Sequence, residues 1–158
     1  MTMMSVKQYY EYCEKLTDAY RDAGGISVKQ HEDITEIPAT RFGRFCRIFT
    51  PQEFEKLEAL LNAARRKVPA DSIERKRIDF IGVGIEFFKK NSEFARKYYR
   101  TPSKQRKTLS PDIDQLIADW KAMFAKYPFA INIPALADNY YYEFFRNCGW
   151  KPVRPFKK

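Results

Sequence analysis

Thr50-Pro51-Gln52-Glu53 constrains the fold of this chain more than any other stretch, because it is a full helix-start signal that leads straight into an amphipathic stripe. Thr50 is an N-cap residue, Pro51 suits the first helical position, where no donor is required, and Glu53 can reach back to close a capping box. Behind it Phe54, Leu57, Leu60, Leu61, Ala64 and Val68 recur at helical spacing and form one apolar face. Glu53 and Glu55 in the first turns and Arg65, Arg66 and Lys67 in the last complement the helix dipole. Pro69 then imposes a turn, and Asp71 with Glu74 repeats the capping geometry. A long helix follows, with Ile78, Ile81, Ile85, Phe88, Ala95 and Tyr99 on one edge and Phe80, Phe87 and Phe94 on a second. Two long helices joined by so short a link predict an antiparallel hairpin.

Helix grammar extends over most of the remaining chain. Ser5 is placed to cap a first helix carrying Val6, Tyr9, Tyr10, Cys13, Leu16 and Tyr20, which stops at Gly24-Gly25. Between residues 26 and 49 the periodicity breaks around Pro38 and Gly43, which predicts an irregular connector with room for a helical turn at 41–47. Ser110-Pro111 opens a fourth helix with Ile113, Leu116, Ile117, Trp120, Phe124 and Tyr127 on its inner side, ended by Pro128. Pro134 can open a fifth, running through Tyr140, Tyr141, Tyr142, Phe144 and Phe145 to a stop at Gly149 in the C′ position. The expected architecture is therefore all-α: a bundle of about five helices with an irregular connector at 26–49. One helical domain is expected over 1–150, made of parts 1–99 and 100–150, with 151–158 as a basic extended tail.

Several chemistries lack their residues. With 158 residues, 44% hydrophobic and 16% aromatic, the chain is long enough to bury a core without staples and too apolar for disorder. The longest uncharged apolar run, 80–85, is far short of the roughly 20 residues that span a bilayer, so membrane insertion is not expected. No basic stretch followed by an apolar run opens the sequence, so no signal peptide is visible and the compartment is left open, cytoplasmic by default. Cys13, Cys46 and Cys148 have no metal-site or CxxC spacing and read as reduced, partly buried thiols. A single histidine, His31, cannot build a multi-histidine site, and no G-x-S-x-G elbow supports it as the base of a nucleophile. Gly82-Val83-Gly84 lacks the preceding strand and third glycine of a nucleotide loop. Two glycines inside a helix cost about 1 kcal/mol each, which points to close packing or a slight kink.

Charge is unevenly distributed. Residues 1–95 carry 16 Lys/Arg against 15 Asp/Glu, whereas residues 96–158 carry 13 against 5, so nearly all of the +9 excess lies in the second part. Arg96, Lys97, Arg100, Lys104, Arg106 and Lys107 fall in one stretch without acids, joined by Arg146, Lys151, Arg154, Lys157 and Lys158. Such a cluster is the electrostatic footprint of an anion or nucleic-acid site, with Arg96, Lys97, Arg100, Lys104, Arg106, Lys107 and Arg154 as candidate contacts and Tyr98 and Tyr99 as stacking rings. The plain alternative is a solvated basic linker and tail, and no helix-turn-helix, zinc-finger or RNA-recognition signature accompanies it. Tyr142 and Trp150 are candidate platforms for a sugar face, against the commoner role of packing rings. Glu32, Asp33 and Glu36 supply the carboxylates that glycoside hydrolysis needs, but nothing in the sequence fixes their geometry, and loop acids are usually solvated.

The opening Tyr9-Tyr10-Glu11 helix, the run Phe49-Thr50-Pro51-Gln52-Glu53, the Leu57-Glu58-Ala59-Leu60-Leu61 helix with Ala63-Ala64, and the helix over 75–88 resemble a bacterial family, the domain of unknown function 4838. The resemblance covers residues 9–99. In that family this helical region lies after a glycoside-hydrolase-like barrel, so the resemblance implies a helical appendage of carbohydrate-active proteins. A barrel needs about 250 residues, and no βα alternation is present in which one could be built. The resemblance therefore brings no catalytic barrel and no catalytic residue, since none of the helical motifs contains one.

The functional expectation is a non-catalytic helical interaction or structural module of unknown ligand, bound to a protein partner or a separately encoded domain, or to itself. Its aromatic supply exceeds what five short helices bury, so an exposed apolar patch is expected. The alternative is a basic helical nucleic-acid or polyanion binder; a small enzyme ranks last, and neither a cofactor nor a metal is called for.

Overall fold

The computed structural model describes residues 2–22, 41–128, 130, 133 and 142–151. Every regular element among them is helical: α1 (Thr2–Asp22), α2 (Arg41–Ile48), α3 (Pro51–Arg65), α4 (Ile73–Arg100), a 3-10 helix (Ser103–Leu109), α5 (Ser110–Met123) and α6 (Tyr142–Asn147). The protein is an all-α bundle. It divides into two compact units, Met1–Ala95 and Arg96–Lys158, with the boundary inside α4.

The first unit is organised by the Thr50 start. Thr50 has extended backbone angles (φ −74°, ψ 165°), its hydroxyl accepts from the Glu53 N–H at 3.4 Å, and Pro51 occupies the first turn. From there α3 buries Phe54, Leu57, Leu61 and Ala64 against Ile78 and Ile85 of α4. Val6, Tyr9, Tyr12 and Cys13 of α1 pack onto the same cluster, along with Phe49, Val68 and Ile81. Polar pairs give the register of the hairpin. Lys89 meets Glu58 at 2.9 Å and Arg65 meets Asp79 at 2.7 Å, so later residues of α3 face earlier residues of α4, as an antiparallel pair requires.

The turn between the two helices is closed by Ser72, not by Asp71 as the sequence reading has it. The Ser72 hydroxyl donates to the Pro69 carbonyl at 2.9 Å and accepts from the Arg75 N–H at 3.1 Å. An N-cap side chain accepts from the N–H of the second or third helical residue, and α4 begins at Ile73, one residue later than an Asp71 cap would start it. Residues 41–48 of the irregular connector expected at 26–49 form the full two-turn helix α2, with Cys46 buried, and residues 26–40 of that connector lie outside the described residues.

The second unit has its own core of Leu109, Ile113, Leu116, Trp120 and Phe124 with Phe145, Cys148 and Trp150. Trp120 and Phe145 lie 6.1 Å apart between ring centres, and Phe145 meets Trp150 edge-on at 5.2 Å. Gly149 terminates α6 as expected, with φ +74°, a backbone region that favours glycine. The Gly149 N–H donates to Arg146 and the Trp150 N–H to Phe145, both at 2.9 Å, which is the Schellman pattern with its hydrophobic contact across the end. The stretch 96–108, expected as a basic linker, is instead helical over most of its length. Residues 96–100 complete α4, and the 3-10 helix runs directly into α5.

Candidate functional site

The structure uses much of the basic stretch internally. Arg96 is buried at 5% exposure. Lys97 pairs with Asp112 at 2.6 Å. The Arg106 guanidinium lies 4.1 Å over the Tyr98 ring and donates to the Tyr98 hydroxyl at 3.1 Å and to the Thr101 carbonyl at 3.3 Å. Tyr98 itself is buried, takes a second hydrogen bond from the Asn147 amide at 3.0 Å and packs edge-on against Phe144 at 5.0 Å. It joins α4 to α6 within the second unit and is no stacking platform. Tyr99 is half-buried against Phe144 at 5.9 Å. Exposed positions remain at Arg100, Lys104, Lys107, Arg146 and Lys151; a Cβ at Gly149 would lie 3.7 Å from Lys107 Cγ, which sets Lys107 beside the end of α6. Arg154 lies outside the described residues.

Trp150, expected as a sugar platform, is buried at 8% exposure, and its indole N–H donates to Asp114 at 3.1 Å. A ring that carries the Schellman contact and is held by its own N–H has no free face for a sugar. The Tyr142 side chain lies outside the described residues, as do His31, Glu32, Asp33 and Glu36.

The thiols and the buried carboxylate are accounted for by packing. Cys46 and Cys148 are buried and Cys13 is half-buried. Burial pushes the Cys148 thiol up to about 11, against the opposing pull of Arg106, and burial likewise raises Cys13. Such thiols are poor nucleophiles at neutral pH. Glu53, 1% exposed, accepts from the Tyr12 hydroxyl and from Lys56 at 3.4 Å, so the residue expected to close a capping box also ties α1 to α3. Burial first, then this hydrogen bond, raises the Tyr12 phenol. Among the described residues no group of His, Cys, Asp and Glu could hold a metal ion, and no helix is long and apolar enough to cross a membrane.

The remaining feature is an apolar edge on the first half of α4. Ile73, Phe80 and Phe88 are 55%, 44% and 46% exposed, on a helix whose Phe87, Asn91 and Phe94 are buried. Gly84 lies between the two rings, four residues from each, and a Cβ built there meets no heavy atom of the described residues within 4 Å. The neighbouring Gly82 is different: a Cβ there would run into the Arg65 guanidinium, so close packing explains Gly82, whereas no described side chain approaches Gly84. By spacing, Phe88 falls on one apolar edge of the helix and Phe80 on a second. The available signal was the number of edges, since a helix with two apolar edges and one hairpin partner leaves apolar surface over.

No protein-family model, curated protein or solved structure matches this chain.

Proposed function

We propose that this protein is a non-catalytic helical interaction module that docks a protein partner through the exposed edge of α4. The observation that carries the reading is the set Ile73, Phe80 and Phe88, three large apolar side chains on one helix that are 55%, 44% and 46% exposed. Isolated exposed apolar residues are ordinary, but several large ones on one face of a helix point to an interaction site. The edge is bordered by exposed Lys76 and Arg77, a polar rim of the kind that surrounds docking surfaces. The likeness of residues 9–99 to the helical region of the domain of unknown function 4838 family belongs to the same proposal, with a separately encoded domain as the partner class it implies.

The test is binding of a hydrophobic dye to the native protein, with Phe80→Ser and Phe88→Ser as the informative variants. Dye binding that falls severalfold in either variant, with helical content unchanged, supports the reading. Native protein that binds no dye, or variants that bind it equally, would remove it. Turnover of any of a panel of aryl glycosides would remove the non-catalytic part.

A polyanion-binding reading retains one favouring observation, the exposed Lys104, Lys107 and Lys151 with Arg100 and Arg146 in a part of the chain that carries 13 basic against 5 acidic residues. Its test is binding to a generic duplex and a single strand across a salt series. Neutralising about five phosphates gives a log–log salt slope near −4.5 for duplex, and binding indifferent to salt excludes it.

A further inference from the structure

We infer that the two units unfold separately, and that the stretch of α4 from Asn91 to Arg96 is the joint that uncouples them. The inference is independent of the docking reading above. The unit boundary falls between Ala95 and Arg96, inside a helix of 28 residues. A continuous helix is ordinarily a stiff coupler, because breaking it sacrifices ladder bonds and leaves new ends whose N–H and C=O groups lack partners. At this point α4 carries what weakens such coupling.

Five polar or charged residues are buried among the described residues, and three of them, Asn91, Ser92 and Arg96, lie within six consecutive positions of α4. The other two, Thr50 and Glu53, serve the α3 cap and the tie to α1. Asn91 is fully buried; its Nδ2 donates at 2.7 Å to the Phe87 carbonyl, while its Oδ1 has no hydrogen-bond partner among the described residues. Ser92 is 2% exposed and its hydroxyl has none there either. The Phe87 carbonyl lies four residues back, where the Asn91 N–H bonds in the helix ladder, so side chain and backbone compete for it. A buried polar atom left unmet costs more than a formed bond returns, and opening the stretch gives both atoms water. Asparagine and serine are also weak helix formers, and here they stand side by side.

On each side of this stretch is a separate apolar core. Phe54, Leu57, Leu61 and Ile78 anchor the first, and Ile113, Trp120 and Phe145 the second. The apolar burial that drives folding is thus met within each unit, as it is in a domain that folds alone.

The chain carries its own reporters. Both tryptophans, Trp120 and Trp150, belong to the second unit, whereas most of the described helix belongs to the first. Urea unfolding of the full chain, followed by tryptophan fluorescence and by far-UV circular dichroism, therefore reads the two separately. The fluorescence midpoint should lie at least about 0.5 M from the circular-dichroism midpoint, with a slope well below that of a whole chain unfolding together. Ile113→Val should lower the fluorescence midpoint by about 0.5 M and leave the main circular-dichroism step in place, and Ile78→Val should do the reverse. Ser92→Ala, which removes an unmet hydroxyl at nearly constant volume, should halve the gap between the midpoints. Transitions that stay coincident in wild type and in both core variants, or core variants that shift both probes alike, overturn the inference. A gap that Ser92→Ala leaves unchanged overturns the assignment of the joint to this stretch.

Discussion

The glycine pair on α4 separates two physical roles within three residues. At Gly82 alanine gains helix propensity but its Cβ must displace Arg65, whose guanidinium also bonds Asp79 at 2.7 Å and Asn62 at 2.8 Å. At Gly84 the same gain of about 1 kcal/mol is opposed by no described side chain. Gly84→Ala should therefore raise the melting temperature by about 2–4 °C and Gly82→Ala by clearly less, measured by thermal circular dichroism. Equal shifts would show that Arg65 does not hold its place over Gly82. Tyr12 offers a second contrast. Its hydroxyl donates to a carboxylate that is almost fully buried, so Tyr12→Phe withdraws a donor from Glu53 and should cost about 1–3 kcal/mol in urea unfolding. Tyr12→Phe in a Glu53→Gln background should cost less, because a neutral amide tolerates the loss better. Neither role is visible in the sequence, where Gly82 and Gly84 look alike and Glu53 reads as half of a capping box. What distinguishes them is which side chain arrives from another helix, a fact about packing that local spacing does not contain.

At the level of elements, the features set by neighbours in the chain were legible and those set by distant ones were not. The Thr50 cap, the Pro51 first turn, the α3–α4 hairpin and the Gly149 stop all depend on residues within a few positions of one another, and each is found where it is expected. The basic stretch shows the opposite case. Its lack of acids reads as a solvated linker, but Asp112 from α5 and Tyr98 from the last turns of α4 take up Lys97 and Arg106. Trp150 is likewise placed by Asp114, 36 residues earlier in the sequence. The α6 terminus makes a test of element scale. Gly149 has a positive φ that an L side chain adopts at a cost of roughly 1–2 kcal/mol, so Gly149→Ala should lower stability by that amount although its Cβ has room beside Lys107. Because the Trp150 ring completes this same end against Phe145, the variant should also alter tryptophan fluorescence. A variant as stable as wild type would mean that the end of α6 can terminate without the left-handed residue.

At the scale of the molecule, six titrating groups among the described residues depart from their ordinary values in one direction. Burial raises Tyr9, Tyr12, Cys13 and Cys148, whereas hydrogen bonds raise two lysines, Lys56 through Tyr12 and Lys89 through Glu58. At each of these six groups the folded protein holds the proton more tightly than the unfolded chain does. Stability linked to such groups is complete below their unfolded values and is lost as pH rises toward the folded ones. For Cys148 the window runs from 9.0, the ordinary thiol value, to about 11. Tyr9 and Tyr12 extend it upward from 10.0, and Lys56 and Lys89 from 10.5. The urea midpoint should consequently be flat between about pH 7 and 8.5 and fall steadily above 9, with Cys148→Ala shallower between 9 and 11 than wild type. The six groups are spread over α1, α3, α4 and the end of α6, so no single replacement should abolish the alkaline fall. A midpoint that holds level to pH 11, or a fall unchanged in slope by Cys148→Ala, would show that these protons are not bound more tightly in the folded state.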